Sequence, residues 1–329
     1  MSYAIGNVLD VLPTLDAGRF QCCVTSPPYW GLRDYGHADQ LGLEPTPAEY
    51  VASMVRVFAE VRRVLRDDGV LWLNLGDSYA GSGRGGYAGE ASTLDGSTTG
   101  QDQSRIARGS QLAAGFHENA RLGGAVGRAW VPPPLGLKNK DLVGIPWMTA
   151  FALRADGWYL RSEIIWAKPN PMPESVTDRP TKSHEHVFLL SKSGRCFYDA
   201  DAIAEEATRG SARSTFTGGK TGAVQRRVGQ GEREDGETRN ARDVWTIASQ
   251  PYHGSHFAVM PPALAQRCIL AGSRIGDEVL DPFLGSGTVG MVAERSGRRW
   301  FGVELNPKYE AIIKQRTAQA GLFGRVGAA

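Results

Sequence analysis

Two segments of this chain hold residue types suited to group transfer. Thr25-Ser26-Pro27-Pro28-Tyr29-Trp30 follows the apolar run 20–24, and Asp281-Pro282-Phe283-Leu284-Gly285-Ser286-Gly287-Thr288 follows the run 278–280. Short apolar runs that break into loops read as buried strands, and open α/β sheets place ligands at the carboxyl ends of such strands. In the second segment, Gly285 and Gly287 let the backbone approach a ligand and present amides at a helix start, where Thr288 stands. No G-K-[ST] follows, which disfavours a Walker-type phosphate loop. Glu304 ends the next apolar run, about 20 residues on, where a carboxylate accepts both ribose hydroxyls of a nucleoside. Asp281 suits a cationic amino group better than a pyrophosphate, and Phe283 is placed to line an apolar pocket. A ligand with both a nucleoside and an amino-acid end is S-adenosyl-L-methionine.

The first segment suits the acceptor side of a methyl transfer. Consecutive prolines fix the backbone and leave carbonyls without local amide donors. Ser26 adds a side-chain acceptor, and Tyr29 offers a flat face for an extruded base. The exocyclic amine of cytosine or adenine is a poor nucleophile because its lone pair is delocalised into the ring. Acceptors at Ser26 and the Pro27 carbonyl favour a pyramidal nitrogen whose lone pair points at the methyl group. Methylation at carbon 5 of cytosine would need a cysteine nucleophile, usually in a Pro-Cys pair, and the sequence has no such pair.

The elements that must position these loops follow from periodicity. A strand over 3–5 ends in Gly6-Asn7 and feeds a helix with Val8, Val11, Leu12 and Leu15 on one face. Thr46-Pro47-Ala48-Glu49 is an N-cap with a capping box. The helix after it buries Val51, Met54, Val55, Phe58, Val61 and Leu65, with Gly69 as its stop before a strand over 70–75. A helix over 145–153, strands over 158–166 and 186–190, a helix over 261–271, a helix over 289–295 and a strand over 300–303 complete an α/β pattern.

Two stretches depart from that pattern. Residues 81–128 form a Gly/Ser-rich insert, and residues 204–242 a polar segment. Within the latter, Arg209, Arg213, Lys220, Arg226 and Arg227 occur without an acidic residue between them, the composition of a phosphate-contacting arm. A solvated loop has the same composition. The catalytic domain is then 1–80, 129–203 and 243–329. A chain of 329 residues with 41% hydrophobic content can bury a full core, while a net charge of +2 confines any DNA surface to a local patch. Four cysteines lie at 22, 23, 196 and 268 with no zinc spacing, so no metal is expected, and the adjacent pair reads as buried strand thiols. With no long apolar stretch and no signal-peptide layout, a cytoplasmic protein without a membrane partner is expected.

The motifs resemble the amino-methyltransferases that modify DNA at cytosine N4 or adenine N6, in the permuted arrangement called the beta class. The resemblance covers most of the chain. It includes "NLGDSY" (74–79), "WAKPNPMPES" (166–175), "SHEHVFLLSKS" (183–193) and "DVWTI" (243–247). It implies a doubly wound, mostly parallel seven-stranded sheet of the S-adenosylmethionine-dependent (Rossmann-like) type, with the target-amine motif before the cofactor motif. It makes Ser26, Pro27, Pro28 and Tyr29 the catalytic loop. Asp281, Phe283, Gly285, Gly287 and Thr288 become the methionine side of the cofactor site, Glu304 the ribose ligand, and His256 and Phe257 a flanking segment. Asn7 stands where the family more often has Asp, beside the cofactor adenine. Double-stranded DNA is the implied substrate and a cognate restriction endonuclease the implied partner of a restriction-modification system. Ser26 points to cytosine N4. Adenine N6, methylation of RNA or of a protein glutamine, and a catalytically inactive DNA-binding protein stay open.

Overall fold

A computed structural model describes residues 2–32, 37, 39–81, 136–207, 238–250 and 259–323. Strand β1 (Tyr3–Ile5) leads into helix α1 (Val8–Val11), which Asn7 caps by accepting from the Leu9 amide at 2.9 Å. Strand β2 (Phe20–Thr25), helix α2 (Pro47–Val64) and strand β3 (Leu65–Leu75) follow. Next come helix α3 (Ile145–Ala155), strands β4 (Tyr159–Ala167) and β5 (His184–Ser191), and the short strands β6 (Glu205–Glu206), β7 (Thr238–Arg239) and β8 (Val244–Thr246). Helix α4 (Pro262–Gly272), strand β9 (Glu278–Asp281), helix α5 (Thr288–Arg295), strand β10 (Arg299–Glu304) and helix α6 (Glu310–Phe323) close the order.

The main sheet runs β1-β10-β9-β2-β3-β5-β4-β8, and every strand but β5 points the same way. It is the expected mostly parallel sheet, with the three-residue β8 as one strand more than seven at its edge. Side-chain alternation explains why both faces are covered. Phe20, Cys23, Leu71, Leu73 and Leu75 face a core shared with α1, α2 and α3. Cys22, Val24, Val70 and Trp72 face a second core with α4 and α5. Burial raises the thiol pKa values of Cys22 and Cys23 well above the ordinary range, as inert strand cysteines require.

Crossovers set the site. From β9 the chain passes through α5 to β10 on one side, and from β2 through α2 to β3 on the other. The adjacent strands β2 and β9 therefore flank the point where winding reverses, and a crevice opens beyond their carboxyl ends.

The capping box forms as expected: the Thr46 hydroxyl accepts from the Glu49 amide at 3.2 Å, and Glu49 accepts from the Thr46 amide at 2.9 Å. The end of that helix differs from expectation. Leu65 is extended (φ −73°, ψ 146°) and already pairs with Phe20 in the sheet. Gly69 instead sits in a bulge between the pairs Phe20↔Leu65 and Cys22↔Val70, where a Cβ would come within 2.8 Å of the Arg66 carbonyl. Sheet pairing of Leu65 outcompetes one further helical turn. Helix α6 and strand β8 are additional to the elements assigned from the sequence pattern.

Both long inserts leave from short ladders. The Ala80 amide donates to the Asp141 carbonyl and the Lys140 amide to the Ala80 carbonyl, each at 2.8 Å. Glu205 and Glu206 pair with Arg239 and Thr238 across β6 and β7. Arg209, Arg213, Lys220, Arg226 and Arg227, with His256 and Phe257, lie outside the described residues.

Candidate active site

The cleft beyond β2 and β9 brings Ser26 and Pro28 together with Asn7, Asp281, Phe283, Gly285, Thr288 and Glu304. Pro27 is buried behind this lining, and Gly287 supports it from the helix start at φ 81°. That left-handed conformation, easy only for glycine, lets the chain reverse from strand into α5. Arg316 of α6 hydrogen-bonds the Ser286 hydroxyl and holds the turn from outside.

Two carboxylates, Asp281 and Glu304, lie in the cleft. Asp281 accepts from the Thr25 hydroxyl at 2.7 Å and from the Phe283 amide at 3.1 Å. Burial pushes its pKa up to about 7 against those two hydrogen bonds, and the charge of Glu304 adds to the rise. Glu304 accepts from the Gly285 and Asn306 amides, each at 2.8 Å, and burial likewise lifts it to about 7. Thr288 lines the same cleft, and its hydroxyl is buried without a hydrogen-bond partner. An unpartnered buried hydroxyl in a cleft that also holds two desolvated carboxylates is suited to a polar ligand. Val8, Leu41, Phe283 and Val303 supply apolar walls. These groups fit the amino-acid and ribose ends of S-adenosylmethionine. Among the described residues, no cluster of three or more His, Cys, Asp or Glu could hold a metal ion.

The loop that follows β2 is held from three sides. Tyr50 donates to the Pro28 carbonyl at 2.9 Å, the Trp30 indole to the Glu44 carbonyl at 2.8 Å, and the Gly31 amide to the Gly42 carbonyl at 2.7 Å. Tyr29 is half-buried with its ring over Gly76, where a Cβ would lie 2.5 Å from the ring. The Tyr29 hydroxyl turns inward, donating to Glu185 at 2.6 Å and accepting from Ser26 and from Asn74, each at 3.3 Å. Asn74 also donates to Glu185 at 2.9 Å, and Lys168 forms an ion pair with the other carboxylate oxygen.

Glu185, Lys168, Asn74, Thr25 and Asp77 lie inside the quoted motifs, but the sequence alone assigns them no role. Asp77 accepts from the Gly144 and Ile145 amides at 3.0 and 3.1 Å and so caps α3 from a distant loop. One signal was available. Asn74, Lys168 and Glu185 are polar residues close to the apolar runs 70–73, 164–167 and 187–190 of three strands.

A doubly wound sheet with these groups at its switch point defines a Rossmann-like enzyme that binds a nucleoside cofactor. A DNA methylase family model, N6_N4_Mtase, matches residues 20–315, and the chain belongs to that family. The Type II methyltransferase M.SmaI of Serratia marcescens is 43% identical over 313 residues, covering 95% of this chain and 89% of that protein. Among solved structures, the PvuII DNA methyltransferase, described as cytosine-N4-specific, has a TM-score of 0.60 at 16% identity, covering 98% of this chain and 90% of that one. A putative DNA modification methylase of Thermus thermophilus, TTHA0409, complexed with S-adenosyl-L-methionine, has a TM-score of 0.56 at 21% identity, covering 97% and 93%. These two likenesses are of fold. No helix among the described residues is long and apolar enough to cross a membrane.

Proposed function

We propose that this DNA methyltransferase modifies the exocyclic N4 amine of cytosine in duplex DNA, with the base flipped into the cleft. S-adenosylmethionine is the methyl donor and supplies an electrophilic methyl group on a sulfonium sulfur. Asp281 receives its amino group, Thr288 its carboxylate and Glu304 its ribose. Asn7 and Phe283 flank the rest, and the family resemblance assigns His256 and Phe257 to the methionine moiety. Ser26 and the Pro27 carbonyl accept hydrogen bonds from the target amine and turn its lone pair toward the methyl group. Direct displacement on carbon needs no enzyme nucleophile, in keeping with the buried strand cysteines.

The observation that carries the cytosine reading is Ser26, a neutral hydroxyl in the cleft at the first position of the Pro-Pro-Tyr loop. In the family resembled, serine there goes with cytosine N4, and Asp or Asn with adenine N6. The segment 204–242 serves as target-recognition region, with Arg209, Arg213, Lys220, Arg226 and Arg227 on the DNA backbone, and a cognate endonuclease cuts the unmodified site. Methylated DNA digested to nucleosides and read by mass spectrometry tests the assignment. N4-methylcytosine is expected, and N6-methyladenine as the product refutes it.

A further inference from the structure

The Tyr29 hydroxyl lies at the centre of a polar cluster buried beneath the target-amine loop, where three strands meet. Asn74 comes from the end of β3, Lys168 from the residue after β4, and Glu185 from the start of the antiparallel β5, paired with Trp166. The inventory of donors in this cluster leaves little freedom. Burial acts against the charged form of Glu185, but the Lys168 ammonium and the hydrogen bonds from Tyr29 and Asn74 outweigh it and hold the carboxyl below its ordinary value. An ionised carboxylate only accepts. Tyr29 has one hydroxyl proton, and at 2.6 Å that proton goes to Glu185.

Burial and the adjacent charge of Glu185 also raise the Tyr29 pKa well above the ordinary phenol value, so this proton stays in place. With its proton committed, the Tyr29 oxygen is an acceptor. It takes the Ser26 proton at 3.3 Å, which leaves the Ser26 oxygen with only lone pairs to offer the cleft. The sense matters for the chemistry. A Ser26 hydroxyl that donated toward the target amine would tie up the nitrogen lone pair needed for attack, whereas an accepting Ser26 leaves it free.

We propose that Glu185 is a positioning residue that fixes the direction of the hydrogen bonds from Ser26 through Tyr29, so that Ser26 meets the target amine as an acceptor. This rests on the reading of the cleft as an amino-methyltransferase site. Lys168 keeps the chain in register by pairing with the remaining carboxylate oxygen, and Gly76 leaves room for the ring between them.

Glu185→Gln keeps the shape but not the direction. Its amide must present NH₂ either to Lys168 or to Tyr29 and Asn74, and the second orientation sends the tyrosine proton back toward Ser26. Single-turnover methyl transfer with prebound duplex DNA should fall by about tenfold to a hundredfold, while the dissociation constant for S-adenosylmethionine stays unchanged. In a Tyr29→Phe background the same Glu185→Gln change should cost no further rate, because the link it acts through is gone. A structural role for Glu185 would lower the rate equally in both backgrounds; that result, or an unchanged rate, overturns the proposal. If Glu185→Gln does not fold, Tyr29→Phe alone decides, since it removes one oxygen and leaves the buried ion pair. It must slow transfer without weakening cofactor binding, and a wild-type rate overturns the proposal. Wild-type protein that labels neither cytosine nor adenine in DNA refutes the underlying reading instead.

Discussion

The Thr25 hydroxyl donates to the Asp281 carboxylate at 2.7 Å within the buried base of the cleft. Thr25 is the last residue of β2 and precedes Ser26; Asp281 is the last residue of β9 and opens the glycine turn. One hydrogen bond therefore ties the Ser-Pro-Pro-Tyr loop to the glycine turn across 256 positions of sequence. Both loops take their height in the cleft from the register Cys23↔Leu280 one step below. The order of the two motifs along the chain is immaterial to this geometry, because the parallel pairing of β2 and β9 makes them neighbours whichever is synthesised first.

Removing this link should reach the cofactor before it reaches the fold. Thr25→Val keeps the volume and the β-branched shape but withdraws a donor from a buried carboxylate, a hydrogen bond worth roughly 1.5–3 kcal/mol. Affinity for S-adenosylmethionine at pH 7 should fall by at least about tenfold, since Asp281 is then still harder to ionise. Titration calorimetry at pH 7 and pH 8.5 should show the deficit shrinking at the higher pH. Wild-type affinity at both values would remove Asp281 from the binding account.

Local features of the chain were legible because local chemistry decides them. The capping box of Thr46 and Glu49, the paired strand-end loops and the glycine turn each need only a few neighbouring residues to be recognised. The Glu185 cluster was not, since Asn74, Lys168 and Glu185 meet only once β5 inserts antiparallel between β3 and β4. Leu65 misled for a related reason. Its apolar spacing extends the helix pattern, and only its pairing with Phe20 makes it a strand residue. Asn7 suits the cofactor by its place after β1, and its side-chain oxygen also caps α1, a duty visible only when the helix start is located.

Asp281 and Glu304 should give stability and binding opposite pH slopes. Both carboxyls sit at about 7 in the folded chain, above their values of 3.8 and 4.5 in the open. The folded form thus holds more protons than the unfolded form between about pH 4 and pH 7, and their contribution to stability falls as pH rises through that window. On the proposed assignment cofactor binding needs the ionised forms, so its affinity should rise over the same interval. Thermal unfolding from pH 5.5 to 8.5 should show the cofactor-induced gain in Tm growing with pH. That growth should flatten in Asp281→Asn, and a gain independent of pH in the wild type contradicts the assignment.

Gly76→Ala tests whether the Tyr29 ring must stay where it is. The new methyl would lie 2.5 Å from Cε2 and 2.9 Å from Cδ2 of the ring, so the tyrosine must shift and draw its hydroxyl from Glu185 and Ser26. Overpacking of this kind costs about 1–3 kcal/mol. Methyl transfer should slow by more than tenfold while S-adenosylmethionine binds as before, a split that stopped-flow transfer and calorimetry can measure. A loss confined to cofactor affinity would show that the ring serves the other half of the cleft.

Asp77 should matter to the fold near the site and not to the chemistry. Helix α3 begins after Gly144, which has no side chain to cap it, and the Asp77 carboxylate supplies the missing acceptor to the Gly144 and Ile145 amides. An anion at that end also opposes the positive pole of the helix. Behind the cap, Ile145, Ala150 and Leu153 pack into the core that covers β3, and Trp147 lies edge-on to Phe188 of β5. Asp77→Ala should therefore cost about 1–2 kcal/mol of stability, and Asp77→Asn, which keeps one acceptor oxygen, should cost less. Denaturant unfolding ranks the three proteins. With the cofactor loop untouched, the affinity for S-adenosylmethionine should stay within about twofold of wild type in both variants. Equal stability of Asp77→Ala and wild type would mean that the start of α3 finds its acceptors elsewhere.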